Sequence, residues 1–170
     1  MRYPLAGSET LSGITTGGGV VAMGLGLAAG VAKRALGPVA LPMALGSGLL
    51  WLGRTMGDAF VEIGSEDLHI KLGALFDEKI LLGDIRGVER SEWALLGGLG
   101  VRSNLRDLVA VTTRSGPAAK IALWKPYRLP ILPRIWYISA THVVVTPDDL
   151  DDFIGELDSR LSADDSPASE

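Results

Sequence analysis

No Asp, Glu, Lys or Arg occurs from Thr10 through Ala32, and none from Ala35 through Gly53; only Lys33-Arg34 separates the two stretches. About 20 helical residues, rising ~1.5 Å each, cross the ~30 Å hydrocarbon core of a bilayer. Each stretch meets that length, so the sequence predicts two spans joined by a tight basic loop: a transmembrane helical hairpin over 13–54. Inside it, Gly18, Ala22, Gly26 and Gly30 recur every fourth residue, and Ala40, Ala44 and Gly48 form a second small-residue ridge. Such ridges let helix backbones approach closely, within the hairpin or between copies of it. Pro38 suits a first helical turn, Pro42 would kink the helix, Trp51 suits an interface and Arg54 closes the span.

Two rival readings apply to the same region. A cleaved signal peptide would need a positive leading segment, but Arg2 alone is basic before Glu9 and a second apolar stretch follows directly. Alternatively, two Gly-rich helices pack on the rest of the chain as a water-excluded core. Gly24 through Ala29 has the shape of a dinucleotide fingerprint, without the preceding strand or polar loop that phosphate binding needs.

Composition narrows the function classes. The chain has 170 residues, 47% of them hydrophobic, and a net charge of −4. Neutralising phosphates takes an excess of Lys and Arg, so no nucleic-acid partner is expected. With no Cys and two His, disulfide frameworks, zinc ribbons and thiol nucleophiles are excluded, and no metal or cofactor is expected. No Gly-x-Ser-x-Gly elbow, His-Glu-x-x-His or phosphate-binding loop occurs, and neither His69 nor His142 stands in a catalytic pattern, so no catalytic residues are assigned.

From residue 59 the texture changes to short alternating runs. Ala59–Ile63 and Leu68–Leu72 flank a Gly64-Ser65-Glu66-Asp67 turn and read as a hairpin. Gly73 begins a corner, Lys79–Leu82 and Ile85–Arg90 continue as strands, and Leu108–Thr113 and Ala119–Trp124 read as a pair around Arg114–Pro117. A Pro-rich connection over 125–133 precedes a β-branched run from Ile135 to Thr146. Thr146 as cap, Pro147 at the first helical position and Asp148-Asp149 then announce a helix whose apolar face is Leu150, Phe153, Ile154, Leu157 and Leu161. The expected organisation is an N-terminal tail (1–12), the hairpin (13–54), a mainly-β domain (58–161) and a disordered tail (162–170).

Leu68–Gly73, Ile80–Val88, Gly98–Arg102 and Val145–Phe153, following two apolar helices, resemble segments of the bacterial pleckstrin-homology-like (PH-like) membrane proteins. The likeness covers residues 13–161. It implies a PH-like seven-stranded barrel, or a split sandwich, capped by the C-terminal amphipathic helix. It also implies a non-enzymatic module in the cell membrane with its domain on the cytoplasmic side. The charge rule alone does not orient the chain, since Lys33 and Arg34 balance Arg2 and Arg54. The alternative function is a small-ligand carrier or an enzyme using the barrel mouth.

Candidate contact residues lie in the basic segment 86–134, which holds nine basic against three acidic residues. Trp124, Lys125, Tyr127, Arg128, Arg134 and Trp136 bracket the apolar Leu129–Leu132, with Arg102 and Arg106 further upstream. Tryptophan and tyrosine beside cations and aliphatic residues have the make-up of an interfacial anchor, for anionic lipid at the membrane surface or for a protein partner. An ordinary barrel core would use the same aromatics.

Overall fold

The computed structural model describes residues 1–33, 37–56, 58–94, 97–132 and 135–164. They form two compact units: Met1–Gly7 with Ala59–Glu170, and Ser8–Asp58.

The second unit is a pair of helices, α1 (Ser8–Lys33) and α2 (Gly37–Met56). Their contact runs through Gly19 and Gly46: a Cβ on either would lie 2.8 Å from the other's carbonyl oxygen. Gly53 backs onto Thr16, and Ser12 Oγ donates to the Gly53 carbonyl at 2.7 Å. Gly18 and Gly48 face open space, Ala40 and Ala44 are exposed, and Ala22 is half-buried. The ridge expected at Gly18 therefore lies one residue, or about 100° of helix, away from the one that makes the contact. The Gly17–Gly19 run offers three registers and periodicity alone does not choose among them. Gly26 and Gly30 lie outside the described side-chain positions.

The transmembrane hairpin, and with it the integral membrane location, is corrected: among the described residues no helix is long and apolar enough to cross a membrane. Freedom from charge is not apolarity. Seven of the 26 residues of α1 are Gly, and Ser8, Thr10, Ser12, Thr15 and Thr16 fill its first turns. Such residues add little transfer free energy per position.

The first unit carries two sheets. One has the order β1 (Arg2–Pro4), β2 (Ala59–Ile63), β3 (Asp67–Leu72), β4 (Phe76–Leu81), all antiparallel. Strict alternation drives it: Leu68, Ile70 and Leu72 are buried while His69 and Lys71 point outward. Gly73, at φ +53°, makes the corner into β4, a left-handed conformation that suits glycine. A 3-10 turn, Leu82–Asp84, leads to β5 (Ile85–Trp93), followed by β6 (Gly100–Ser103), β7 (Leu108–Thr112), β8 (Gly116–Leu132) and β9 (Trp136–Val145). These five form the second sheet in the order β5-β8-β9-β7-β6, with β7 and β9 parallel.

The seven-stranded PH-like barrel or split sandwich is therefore corrected to two sheets of four and five strands that do not close into a barrel. Two features of the chain depart from the expected order. The run read as a β7–β8 pair is separated by β9, which pairs Ala119↔Val145 on one side and Val111↔Val145 on the other. The first residues, read as a tail, form β1, with Tyr3 opposite Val61 and Leu5 bridged to Pro147.

The core draws on both sheets and on α3 (Leu150–Asp164). Val61, Ile70, Phe76, Ile121, Val143, Phe153 and Leu157 are among its fully buried side chains. The α3 N-cap is Asp149, whose Oδ1 accepts from the Asp152 amide at 3.2 Å, rather than Thr146. Thr146 is buried instead, its hydroxyl 3.2 Å from both the amide and the hydroxyl of Thr113. Thr113 Oγ1 in turn donates to Ala6 O at 2.6 Å, stitching the N-terminal segment to the second sheet.

Candidate interaction surface

The segment expected as a Pro-rich connection is strand. β8 runs on to Leu132, and its last part pairs with the start of β9 through Tyr127↔Ala140, Arg128↔Ser139, Leu129↔Ile138 and Leu132↔Trp136. The register shifts between Ala122 and Tyr127, so several residues of β8 oppose few of β9, and the strand carries a bulge at 123–126. β5 stops pairing at Leu123, and β7 begins opposite His142. Among the described residues the terminal β8–β9 ribbon thus overhangs both its neighbours in the sheet.

One face of the ribbon continues the core. Leu129 and Ala140 are buried there, with Tyr127 and Ile138 packed beside them. Leu129, expected to project from a loop, is therefore a core residue, because strand alternation turns it inward opposite Ile138. At the far end the apolar side chains have no cover: Ile135 is 82% exposed, Trp136 49%, Leu132 48% and, in the bulge, Trp124 69%.

The cations expected to accompany them have other commitments. Lys125 Nζ donates to Asp84 Oδ1 at 2.8 Å, and Tyr127 OH donates to Asp84 Oδ2 at 2.6 Å while accepting from the Leu81 amide at 3.3 Å. These hydrogen bonds hold the Asp84 carboxyl below its usual range; the same carboxylate raises Lys125, and burial with the Asp84 bond raises Tyr127. Asp84 thus pins the bulge to the 3-10 turn. The Arg128 guanidinium lies 5.0 Å from the Tyr137 ring centroid on the outer face of the ribbon. Arg134 lies outside the described residues. Arg102 is exposed on β6 against Gly98, and Arg106 is exposed in the turn after it, held by its amide to Asn104 Oδ1 at 2.9 Å.

Elsewhere in the basic segment, Arg90 pairs with Asp151 of α3, and Lys120 with Glu89 at 2.8 Å. The charge excess visible in sequence is thus dispersed over β5, β6 and β8 and partly neutralised. Sequence reasoning missed Asp84, because the Gly83-Asp84 step read only as a turn.

Two open depressions are found among the described residues. One of about 480 Å³ is lined by Glu66, Leu81, Leu82 and Arg160, the other of about 220 Å³ by Arg86, Glu89, Lys120 and His142. His142 Nδ1 stands 3.4 Å from Asp107 Oδ2 and 3.1 Å from the Thr141 hydroxyl. No group of three or more metal-binding side chains converges among the described residues. The chain matches no protein-family model, no curated protein and no solved structure.

Proposed function

We propose that the protein is a non-enzymatic interaction module whose contact surface is the overhanging end of the β8–β9 ribbon, and that it takes a protein partner there. The observation that supports this reading most is the set Leu132, Ile135 and Trp136 at the tip of the ribbon, with Trp124 in the bulge at its base, large apolar side chains exposed on a ribbon whose inner face is anchored in the core. Tryptophan, tyrosine and arginine dominate binding energy at protein contacts, and Tyr137 with Arg128 supplies the polar rim. Anionic lipid is the weaker occupant, because Lys125 is held by Asp84 and the other cations are spread over separate strands. The space between the sheets is filled by Phe76, Phe153, Ile121 and their neighbours, which lends no support to a carrier or enzyme built on a barrel mouth.

The test combines Trp124→Ser, Ile135→Ser and Trp136→Ser in the full chain. All three are exposed, so the melting temperature should stay within a few degrees of the unmodified chain. The amount of any protein recovered with the tagged chain from its native cells should fall at least about tenfold, the effect of ~1.4 kcal/mol. Recovery unchanged by the triple substitution would reject the reading. Loss of binding to anionic vesicles, with protein recovery intact, would replace it with the lipid occupant.

A further inference from the structure

A sheet edge presents unpaired N–H and C=O groups to any extended chain, and proteins guard such edges with charge, proline, bulges or very short strands. Those guards stand on most edges of this chain. β1 has three residues, among them Arg2 and Pro4, and β6 has four, with Arg102. β4 carries Asp77, Glu78 and Lys79, and β5 carries Arg86, Glu89, Arg90 and Glu92 with a bulge between Ile85 and Gly87. On the overhanging ribbon the β8 edge holds Lys125, Pro126, Arg128 and Pro130. The opposite edge of the ribbon, residues 136–140 of β9, has neither charge nor proline, and among the described residues no strand pairs with it there.

The direction of the main chain along this edge follows from its neighbours. The amides of Thr141 and His142 both donate to the Asp107 carbonyl, at 2.8 and 3.0 Å, a bulge that turns both towards β7. Alternation upstream of Thr141 directs the N–H and C=O of Ser139 and Tyr137 to that same side, beyond the start of β7, and those of Ala140 and Ile138 towards β8. Pro126 and Pro130 fit this register, since alternation from Tyr127 and Leu129 turns them away from β9, where no donor is needed.

We propose that an extended segment of the protein partner joins the sheet here, as an antiparallel strand beside Tyr137 and Ser139. This rests on the ribbon as the contact surface and specifies how the partner is held. Tyr137 and Ser139 each exchange a pair of main-chain hydrogen bonds with the segment, whose alternate apolar side chains lie beside Trp136 and Ile138. The segment therefore has no proline opposite Tyr137 or Ser139. At ~3.4 Å per residue the free edge is about 17 Å long, and Asp107 closes one end of it. That closed end works against a second copy as the occupant. A two-fold axis at Ile138 would set Tyr137 opposite Ser139 of the other copy and carry Ile135 on to its Thr141, whose amide Asp107 already holds. A single segment stops short of that point.

The test uses the full chain and a capped heptapeptide of alternating threonine and valine, read by residue-resolved amide exchange. At about 1 mM peptide, exchange at Tyr137 and Ser139 should slow at least about fivefold. The same peptide N-methylated at its threonines, the residues that would face the two amides, should leave both rates unchanged. Ser139→Pro removes one outward donor and spares the ladder to β8, so peptide binding should weaken at least about tenfold while the melting temperature stays within a few degrees. A main-chain ester at position 139 makes the same deletion if the proline variant unfolds. No protection up to about 5 mM peptide, equal protection by the N-methylated peptide, or protection that grows with chain concentration in the absence of peptide would overturn the proposal, the last in favour of a second copy. If the peptide fails while the triple substitution of Trp124, Ile135 and Trp136 still abolishes partner recovery, the ribbon contact stands and strand addition falls.

Discussion

Single glycines carry opposite roles in the helix pair, and space decides which. Gly13 meets nothing within 4 Å, so Gly13→Ala should stabilise α1 by up to about 1 kcal/mol through helix propensity. Gly46 touches both Gly19 and Met23, so Gly46→Ala should push the helices apart and lower the melting temperature. Thermal unfolding by circular dichroism checks both signs. The sequence made a small-residue contact legible but not its register, because Gly17, Gly18 and Gly19 serve equally until packing chooses Gly19. A second residue-scale prediction concerns Asp84. Its carboxyl is held low in the folded chain by Lys125 and Tyr127, so its contribution is complete above the ordinary aspartate range of about 3.9 and is lost as pH falls through the lowered value. Asp84→Asn should therefore destabilise the chain at neutral pH, and the difference in melting temperature from the unmodified chain should shrink towards about pH 2. A difference constant with pH would show that the carboxylate does not tie down the bulge.

At the scale of elements, alternation and punctuation were readable wherever a strand buries one face. The β2–β3 hairpin, with Val61 opposite Ile70, and the apolar face of α3 follow directly from the spacing of their residues. The β8–β9 ribbon was not readable, because Pro126, Pro130 and Pro133 look like a connection. A strand tolerates proline where it has no neighbour to receive an amide, and an overhanging ribbon provides that freedom. The helix start was misread for a related reason: Thr146 and Asp149 are both good caps, and the buried Thr113 hydroxyl claims Thr146. The ribbon makes a contrast within one strand. Leu129, 1% exposed, should cost about 2–5 kcal/mol as Leu129→Ala. Leu132→Ala, three residues on and 48% exposed, should cost less than about 0.5 kcal/mol. Denaturant unfolding of the two variants measures both, and equal losses would mean that the tip of the ribbon is packed rather than presented.

At the scale of the molecule, the β unit is discontinuous. Its first strand precedes the helix pair, and the rest follows it. The buried Tyr3 and Leu5 join the same core as Phe153, with the Tyr3 and Phe153 ring centroids 5.4 Å apart. That closure was illegible in sequence, since seven residues before a long apolar stretch resemble a tail and their partners lie at Ala59, Thr146 and Asp152. Charge patterning misled at the same scale: a net basic segment in one dimension becomes ion pairs across strands in three, leaving the exposed aromatics of the ribbon as its most distinctive feature. The most direct measurement is therefore photo-crosslinking from a reactive amino acid placed at position 136, compared with position 62 on the outer face of the four-stranded sheet, in the full chain within its native cells. A discrete protein adduct is expected from position 136 that is absent from position 62 and disappears when Trp124 and Ile135 are changed to Ser. The same adduct from both positions, or none from position 136, would contradict the ribbon as the contact surface.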